Sequence, residues 1–322
     1  MLKDMYTRAM VTGGAGFIGS HIAEELLKQG LEVITVDDYS AGKHDNVAHL
    51  HDWNGYTEAK CDITDRESLK KCMENVDIIF HEAASKKNIC LKDPLRDLAV
   101  NGGGAYTLYS LASEMHVKKA VHASTGSVFG ETRVFPQTEE HPLNPVSYYG
   151  ISKLAGEKYA RAFVDLYDLN TTVLRYYHVF GPRQEYSELG GVINIFGRKI
   201  LHSENPVIFG DGTQQRSFTY VGDLVKINML VAQLPQTKGE AYNCPSGYYL
   251  TINELAKKEL EYFGRTDLSI EYQDWLVGDI KTFDVDNSKV RSLGFEFDTD
   301  FDKNLGITLD WLRDYLAAKE RA

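Results

Sequence analysis

A short apolar run that stops in three evenly spaced glycines constrains this chain more than any other feature. Ala9-Met10-Val11-Thr12 is strand-like and Gly13-Gly14-Ala15-Gly16-Phe17-Ile18-Gly19 follows it. Ser20 to Gly30 then keeps helical spacing, with Ile22, Ala23, Leu26 and Leu27 on one stripe. Strand, glycine turn and helix in that order let backbone approach a pyrophosphate, whose charge rests on the positive end of the helix. A second strand, Leu31 to Val36, ends at Asp37, eighteen residues past Gly19. An acid there suits two free ribose hydroxyls and repels a ribose phosphate, and no Arg or Lys follows until Lys43. The pattern predicts an NAD site, rather than NADP, built on Gly13, Gly16, Phe17, Ile18, Gly19 and Asp37. The plainer alternative is a glycine turn that only packs helix on strand, and Asp37 counts against it.

Strand-like and helix-like runs alternate onward: Thr57–Lys60, Arg66–Glu74, Val76–Phe80, a long helix from Pro94 to Met115, Ala120–Ala123, Tyr148–Asp168 and Thr172–Tyr176. Such alternation predicts an α/β fold with a doubly wound parallel sheet of Rossmann type. The rhythm changes at Gly181. Helices near Val192–Leu201, 224–234, 252–263 and 304–318 then mix with short strands at Val207–Phe209 and near Tyr242 and Phe283. We therefore expect an NAD-binding domain over 1–180. A smaller mixed α/β substrate lobe spans 181–322, with some segments returning to the first domain. The substrate cleft lies between them, where parallel strands end.

Ser147-Tyr148-Tyr149-Gly150-Ile151-Ser152-Lys153 carries the chemistry. Positions i and i+4 share a helix face, so Tyr149 and Lys153 project together, close to the strand end Ala123-Ser124-Thr125. A phenol titrates near ~10, and a nearby cation lowers that value. Reaching ~7 requires roughly 4 kcal/mol of differential stabilisation, more than one ammonium supplies. The positive ring of bound NAD⁺ is the expected second charge.

The chain has 322 residues, a net charge of −11 and no basic run, which argues against a nucleic-acid surface. No apolar stretch reaches membrane-spanning length, and no signal-peptide core opens the sequence. Cys61, Cys72, Cys90 and Cys244 form neither CxxC pairs nor a framework, so a reduced, cytoplasmic protein without structural zinc is expected. His44, His49 and His51 match no familiar metal-ligand spacing and read as an exposed polar loop near the adenosine. On the helix over 94–115, Leu95, Leu98, Leu108 and Leu111 suit the core, while Tyr106 and Tyr109 lie off that stripe. On the helix over 148–168, Leu154, Ala155, Ala162 and Leu166 compete with Ile151, Tyr159 and Phe163. This surplus of apolar surface predicts a homodimer through a helix pair.

Taken together, these stretches resemble the extended short-chain dehydrogenase/reductase family, within it the nucleotide-sugar epimerases and dehydratases. The resemblance also rests on His81-Glu82-Ala83-Ala84, Ser124-Thr125-Gly126-Ser127-Val128-Phe129-Gly130, Leu174 through Arg183 and Phe209 through Arg216, all in family order across nearly the whole chain. It implies Asp62 and Ile63 as adenine contacts, Asp37 as ribose clamp, and Ala83, Ala84 and Lys86 along the cofactor, with Asn101 bracing the strand beneath. It implies Thr125 as the hydroxyl-binding residue, Tyr149 as base and Lys153 as its electrostatic partner. Ser124, Thr125, Tyr149, His178, Val207, Phe209 and Arg216 are the implied substrate contacts, Val207 and Phe209 on the strand that holds uracil and Arg216 on the diphosphate.

The implied reaction is oxidation at C4 of a sugar. Dehydrating and decarboxylating relatives place an acid one or two residues past the Ser/Thr, where this chain has Gly126 and Ser127. That leaves 4-epimerisation of a UDP-hexose as the expectation. A 4,6-dehydratase, a 4-ketoreductase and a non-catalytic NAD-binding regulator are the alternatives. The chain departs from the family at His178 (commonly Asn), at Leu276 (a second diphosphate arginine) and at Ser217 (usually Asp). Arg183 and Lys281 are candidate replacements for the missing cation. Phe283 stands where relatives gate N-acetyl sugars; its bulk favours unacetylated hexoses, unless it is only a wall.

Overall fold

The computed structural model of the chain describes residues 2–85, 90–132, 134–188, 190–275 and 284–321. Its centre is a seven-stranded, all-parallel sheet. The strands are β1 (Arg8–Thr12), β2 (Glu32–Asp37), β3 (Tyr56–Lys60), β4 (Ile78–His81), β5 (Lys119–Thr125), β6 (Thr171–Tyr176) and β11 (Ala241–Cys244). Their order is β11-β6-β5-β4-β1-β2-β3, so the winding reverses between β1 and β4. Crossovers run outward in both directions from that point and leave a crevice at the strand ends. β7 (Val179–Phe180) and β10 (Thr219–Tyr220) form a separate parallel pair.

Strand side chains alternate between two cores. Ala9, Val11, Ile78 and Phe80 face α1 (Phe17–Lys28) and α7 (Val221–Gln233). Met10, Ile34 and Ile79 face α4 (Ala105–Glu114) and α5 (Tyr148–Tyr167). A third core gathers Phe180, Phe196, Ile208, Phe218, Leu255, Phe301 and Leu309. It is built from α6 (Val192–Leu201), β8 (Val207–Phe209), β9 (Gln215–Ser217), α8 (Ile252–Tyr262) and α10 (Phe301–Arg321). β12 (Tyr249–Thr251) pairs antiparallel with β9, and β13 (Glu271–Gln273) pairs parallel with β8.

The expected single helix over 94–115 is instead α3 (Pro94–Leu98), a π-helical turn at Ala99–Gly104 and α4. An inserted π turn adds residues to the winding and rotates the face that follows. Leu108, Leu111 and Tyr109 are therefore fully buried, whereas Leu95 is 79% exposed and Leu98 and Tyr106 are also exposed. The assignment of Leu95 and Leu98 to the core, and of Tyr109 off it, is corrected on this ground. On α5 the buried face is Ser152, Lys153, Gly156, Glu157, Ala160 and Phe163, and Leu166 joins Ile151 and Tyr159 on the exposed one.

In the third core, Gly197 lets α6 and α10 close, because a Cβ there would lie 2.9 Å from the Leu309 and Leu312 methyls. Glu259 on α8 is fully buried beside it, and neither carboxyl oxygen has a hydrogen-bond partner among the described residues. Burial holds its proton on well above the ordinary value of 4.5. The unfolded chain loses that proton as pH rises through 4.5 while the native state keeps it, so this residue's contribution to stability declines toward neutrality. Glu259→Met is expected to raise stability at pH 7 by about 1–3 kcal/mol, the scale of an unsatisfied buried polar group. The gain should shrink below pH 4.5. Denaturant melts at pH 7 and pH 4 measure both, and a Met variant less stable at pH 7 would contradict the assignment.

Candidate active site

The ends of β1, β2, β3 and β4 open on a cleft of about 450 Å³. Gly13 begins its floor at φ +66, and a Cβ there would sit 2.7 Å from the Ala83 nitrogen. At Gly19 a Cβ would lie 2.2 Å from the Gly13 carbonyl oxygen. Helix α1 starts at Gly16 with no side-chain cap, so its first amides are left for something bound in the cleft. Asp37 stands at the end of β2, its carboxylate accepting from the amides of Ala15 (3.0 Å) and Tyr39 (2.9 Å). A glycine cradle, uncapped helix amides and a carboxylate one strand away suit a dinucleotide with free ribose hydroxyls.

Gly13, Gly16, Phe17, Ile18, Gly19, Asp37, Asp62, Ile63, Ala83, Ala84 and Tyr149 all line this cleft. Lys86 falls outside the described residues, as do Leu276, Lys281 and Phe283. Asn101 lies behind the wall, in the π-helical turn. Its side-chain oxygen accepts from the Ser85 amide at 2.8 Å, and its nitrogen donates to Ser152 (2.9 Å) and Asp97 (3.1 Å). It therefore ties the chain leaving β4 to α5.

Helix α5 begins at Ser147, whose hydroxyl caps the Gly150 amide. That start fixes where Tyr149 and Lys153 face. Lys153 is buried and donates to the Ala123 carbonyl of β5 at 2.6 Å. Burial lowers its pKa to about 8, opposed by the carboxylates of Glu82, Glu157 and Asp97. The half-buried Tyr149 phenol is pushed up to about 12, by burial first and then by Asp97, against a hydrogen bond from Thr125 that favours the phenolate. Thr125 thus reaches Tyr149 while Lys153 is held two residues back along β5, and without a bound cation the protein makes the phenol a weaker acid.

Of the expected substrate contacts only Tyr149 lines this cleft, and Lys153 lies off its lining as well. Ser124 turns its hydroxyl inward to Glu157 (2.5 Å), which also binds Arg175 through both oxygens. His178 takes φ +36, with its ring edge-on to Phe218. Val207 and Phe209 lie on β8, Phe209 exposed, and Arg216 is buried on β9 with Nη1 donating to the Gln215 carbonyl. Arg183 pairs with Glu24 on α1 and reaches Ser20 at 3.4 Å, so its charge is already matched at the dinucleotide cleft.

Several contacts in and beside the cleft carry no sequence signal. Arg96, in the first turn of α3, bridges Asp62 (2.6 Å) and Asp38 (3.2 Å). Lys43 reaches across the mouth to Glu185 at 3.0 Å and lies 4.7 Å over the Tyr186 ring. Tyr315 and Lys319 of α10 clasp Asp45 at 2.7 Å. These contacts join segments remote in sequence, so no local motif announces them. Asp97, four residues before Asn101, could have been found by i, i+4 spacing. The three histidines pair with carboxylates, His44 and His51 with Glu58 and His49 with Glu24.

Residues 9–244 match the family model described as NAD dependent epimerase/dehydratase family. The chain is 33% identical over 311 residues to a putative UDP-glucose 4-epimerase of Methanocaldococcus jannaschii, covering 95% of this chain and 98% of that one. Among solved structures it is similar to UDP-glucose 4-epimerase of Thermotoga maritima with UDP-glucose, at TM-score 0.90 and 34% identity, covering 96% of this chain and all of that one. It is also similar to the dTDP-glucose 4,6-dehydratase of Streptomyces venezuelae with NAD bound, at TM-score 0.90 and 30% identity, covering 97% and 98%.

The phenol's environment gives a direct test. In cofactor-free protein, phenolate absorbance attributable to Tyr149, taken as wild type minus Tyr149→Phe, is expected only near pH 12. Added NAD⁺ should move that titration downward, because a cation stabilises the phenolate. A titration below pH 9 without cofactor would contradict this account.

Proposed function

The chain belongs to the NAD-dependent epimerase/dehydratase family, and from that premise we propose that it interconverts UDP-hexose epimers at C4. The observation that carries this reading is Gly126, the position after Thr125. A Cβ there would lie 2.3 Å from the ring of Tyr177, a buried side chain whose hydroxyl donates to Gln137 at 3.1 Å. No carboxyl fits at that position without displacing Tyr177, and Ser127 follows it. A dehydratase needs an acid there to shuttle the proton for water loss, so the ketone is left to turn over and be reduced again.

In this mechanism Thr125 holds the reacting hydroxyl and Tyr149 takes its proton. Lys153, fixed by the Ala123 carbonyl, stabilises the phenolate as it forms. A dinucleotide held in this cleft would supply reversible hydride acceptance at C4, which lets the ketone be reduced on its other face. The Asp37 carboxylate and the uncapped start of α1 hold the dinucleotide, with Asp62, Ile63, Ala83 and Ala84 along its length. On the substrate side we assign Val207 and Phe209 to the base, Arg216 to the diphosphate and His178 beside it. We divide the chain at 180 into a dinucleotide domain and a lobe that mainly holds the nucleotide sugar.

Tyr149→Phe should lower turnover of UDP-glucose by about 10²–10⁴-fold while NAD binding persists. Chromatography of nucleotide sugars and cofactor content per subunit are the two readouts. Steady NADH accumulation by the wild-type enzyme, or a 4-keto-6-deoxy product, would refute the reading.

We also propose a cytoplasmic homodimer. The described cysteines are all free thiols, and no described helix is long and apolar enough to cross a membrane. Leu95, Leu98 and Tyr106 share a surface with Ile151, Tyr159 and Leu166, the Tyr106 and Tyr159 rings lying 5.3 Å apart. An apolar surface spread over two packed helices is the kind that a self-associating pair covers. Light scattering at micromolar concentration should give twice the 36.3 kDa chain mass, and Leu95→Glu with Tyr159→Glu should give a monomer. A monomeric wild type would remove this part of the proposal.

A further inference from the structure

Among the described residues, Glu82 is the cleft-lining carboxyl that acts electrostatically on both Tyr149 and Lys153, yet it has no part in the mechanism above. It follows β4 directly, its amide donating to the Thr12 carbonyl at 3.1 Å. Its side chain is oriented from the far side: the Tyr176 hydroxyl donates to Oε1 at 2.9 Å, and Asn228 of α7 donates to that hydroxyl at 2.8 Å. It is half-buried and lines the dinucleotide cleft with Gly13 and Tyr149. Among the described residues, the charged and titratable groups that act on it are Tyr176 of β6 and Tyr149 and Lys153 of α5.

We propose that Glu82 is a positioning charge that sets the preference of the site for oxidised over reduced NAD, favouring the oxidised form as a carboxylate and losing that effect when protonated. The inference rests on the reading of the cleft as an NAD site. The two forms of the dinucleotide differ by one positive charge, carried by the ring that must face the base Tyr149. A negative charge bordering that base attracts one form and is indifferent to the other. For an epimerase this bias has a use: it favours return of the hydrogen to the sugar and disfavours release of the ketone from a reduced enzyme.

The charge is also adjustable. Burial raises the Glu82 pKa to about 7, opposed by the Tyr176 hydroxyl and by Lys153. Because its folded value lies above the ordinary 4.5, Glu82 is a neutral acid below about pH 7 and a carboxylate above it. Binding and protonation are linked reciprocally, so the oxidised form must itself lower the Glu82 pKa. Lys153, at about 8, produces a second step of the same sign, since losing its charge also favours a cationic ligand. The two steps are separable because only one belongs to residue 82.

The test is the ratio of dissociation constants for NADH and NAD⁺, from NADH fluorescence titration and NAD⁺ competition on cofactor-stripped enzyme between pH 5.5 and 9. In the wild type the ratio should rise with pH in a step near 7. Glu82→Gln can still accept from Tyr176, and should lower the ratio at pH 8 by about tenfold, the scale of one unit of proton affinity. It should also abolish the step near 7 while leaving a later one. Tyr176→Phe keeps the charge but removes the bond that favours it, so the step should persist and move to higher pH. A ratio and pH profile unchanged in Glu82→Gln would overturn the proposal, leaving Glu82 as a bracket for Tyr176. Failure of the wild type to bind either dinucleotide would overturn the NAD reading itself, and this inference with it.

Discussion

The site depends on one buried ammonium. Lys153 is enclosed between α5 and the end of β5, and its 2.6 Å bond to the Ala123 carbonyl is where helix and strand meet. A cation taken out of water is costly unless dipoles and opposite charges surround it. Here a strand-end carbonyl receives it directly, and Glu82, Glu157 and Asp97 act on it from three different elements. Each of those carboxylates is itself occupied: Glu157 by Arg175 and Ser124, Asp97 by Asn101, Glu82 by Tyr176. Strand ends, π-helical turn and α5 are thereby held in one polar network behind the cleft.

That network explains why the first half of α5 turns polar residues to the sheet. Ser152, Lys153, Gly156 and Glu157 occupy the buried stripe, where a helix on a parallel sheet ordinarily places aliphatic residues. Ile151, Tyr159 and Leu166 are displaced to the opposite side. The exposed apolar surface accompanies the placing of Ser152, Lys153 and Glu157 on the buried side of a core helix. The π-helical turn belongs to the same arrangement: Asn101 sits inside it and braces Ser85 and Ser152, and the phase change it imposes turns Leu95 and Leu98 out beside that surface.

What the sequence makes legible is local. The glycine turn, the acid closing β2, the capped start of α5 and the four-residue spacing of Tyr149 and Lys153 are each written within a few neighbouring residues, and the parallel sheet follows from the alternation of periods. What it hides is made by contacts between distant segments. No spacing rule joins Arg96 to Asp38 and Asp62, or Lys43 to Glu185. The π-helical turn leaves no trace in the sequence, because Ala99 to Gly104 gives no apolar rhythm to misalign. Spacing shows that Tyr149 and Lys153 are near and says nothing of how burial raises the phenol's pKa in the protein without its dinucleotide.

Arg96 bears on the choice between the two dinucleotides in a way that the sequence order conceals. A cation near the end of β2 is the feature that accommodates a ribose phosphate, and the run after Asp37 lacks one until Lys43. Folding then brings Arg96 beside Asp38, which by itself would reopen the question. Its guanidinium, however, is shared between Asp38 and Asp62, two carboxylates against one cation. Lys43 is likewise held by Glu185. With Asp37 added, this end of the cleft carries an excess of negative charge, and a further phosphate there would meet repulsion with no unpaired cation among the described lining residues. The preference for NAD therefore rests on how the local charges are paired, and the absence of arginine from one stretch of sequence is only its visible part.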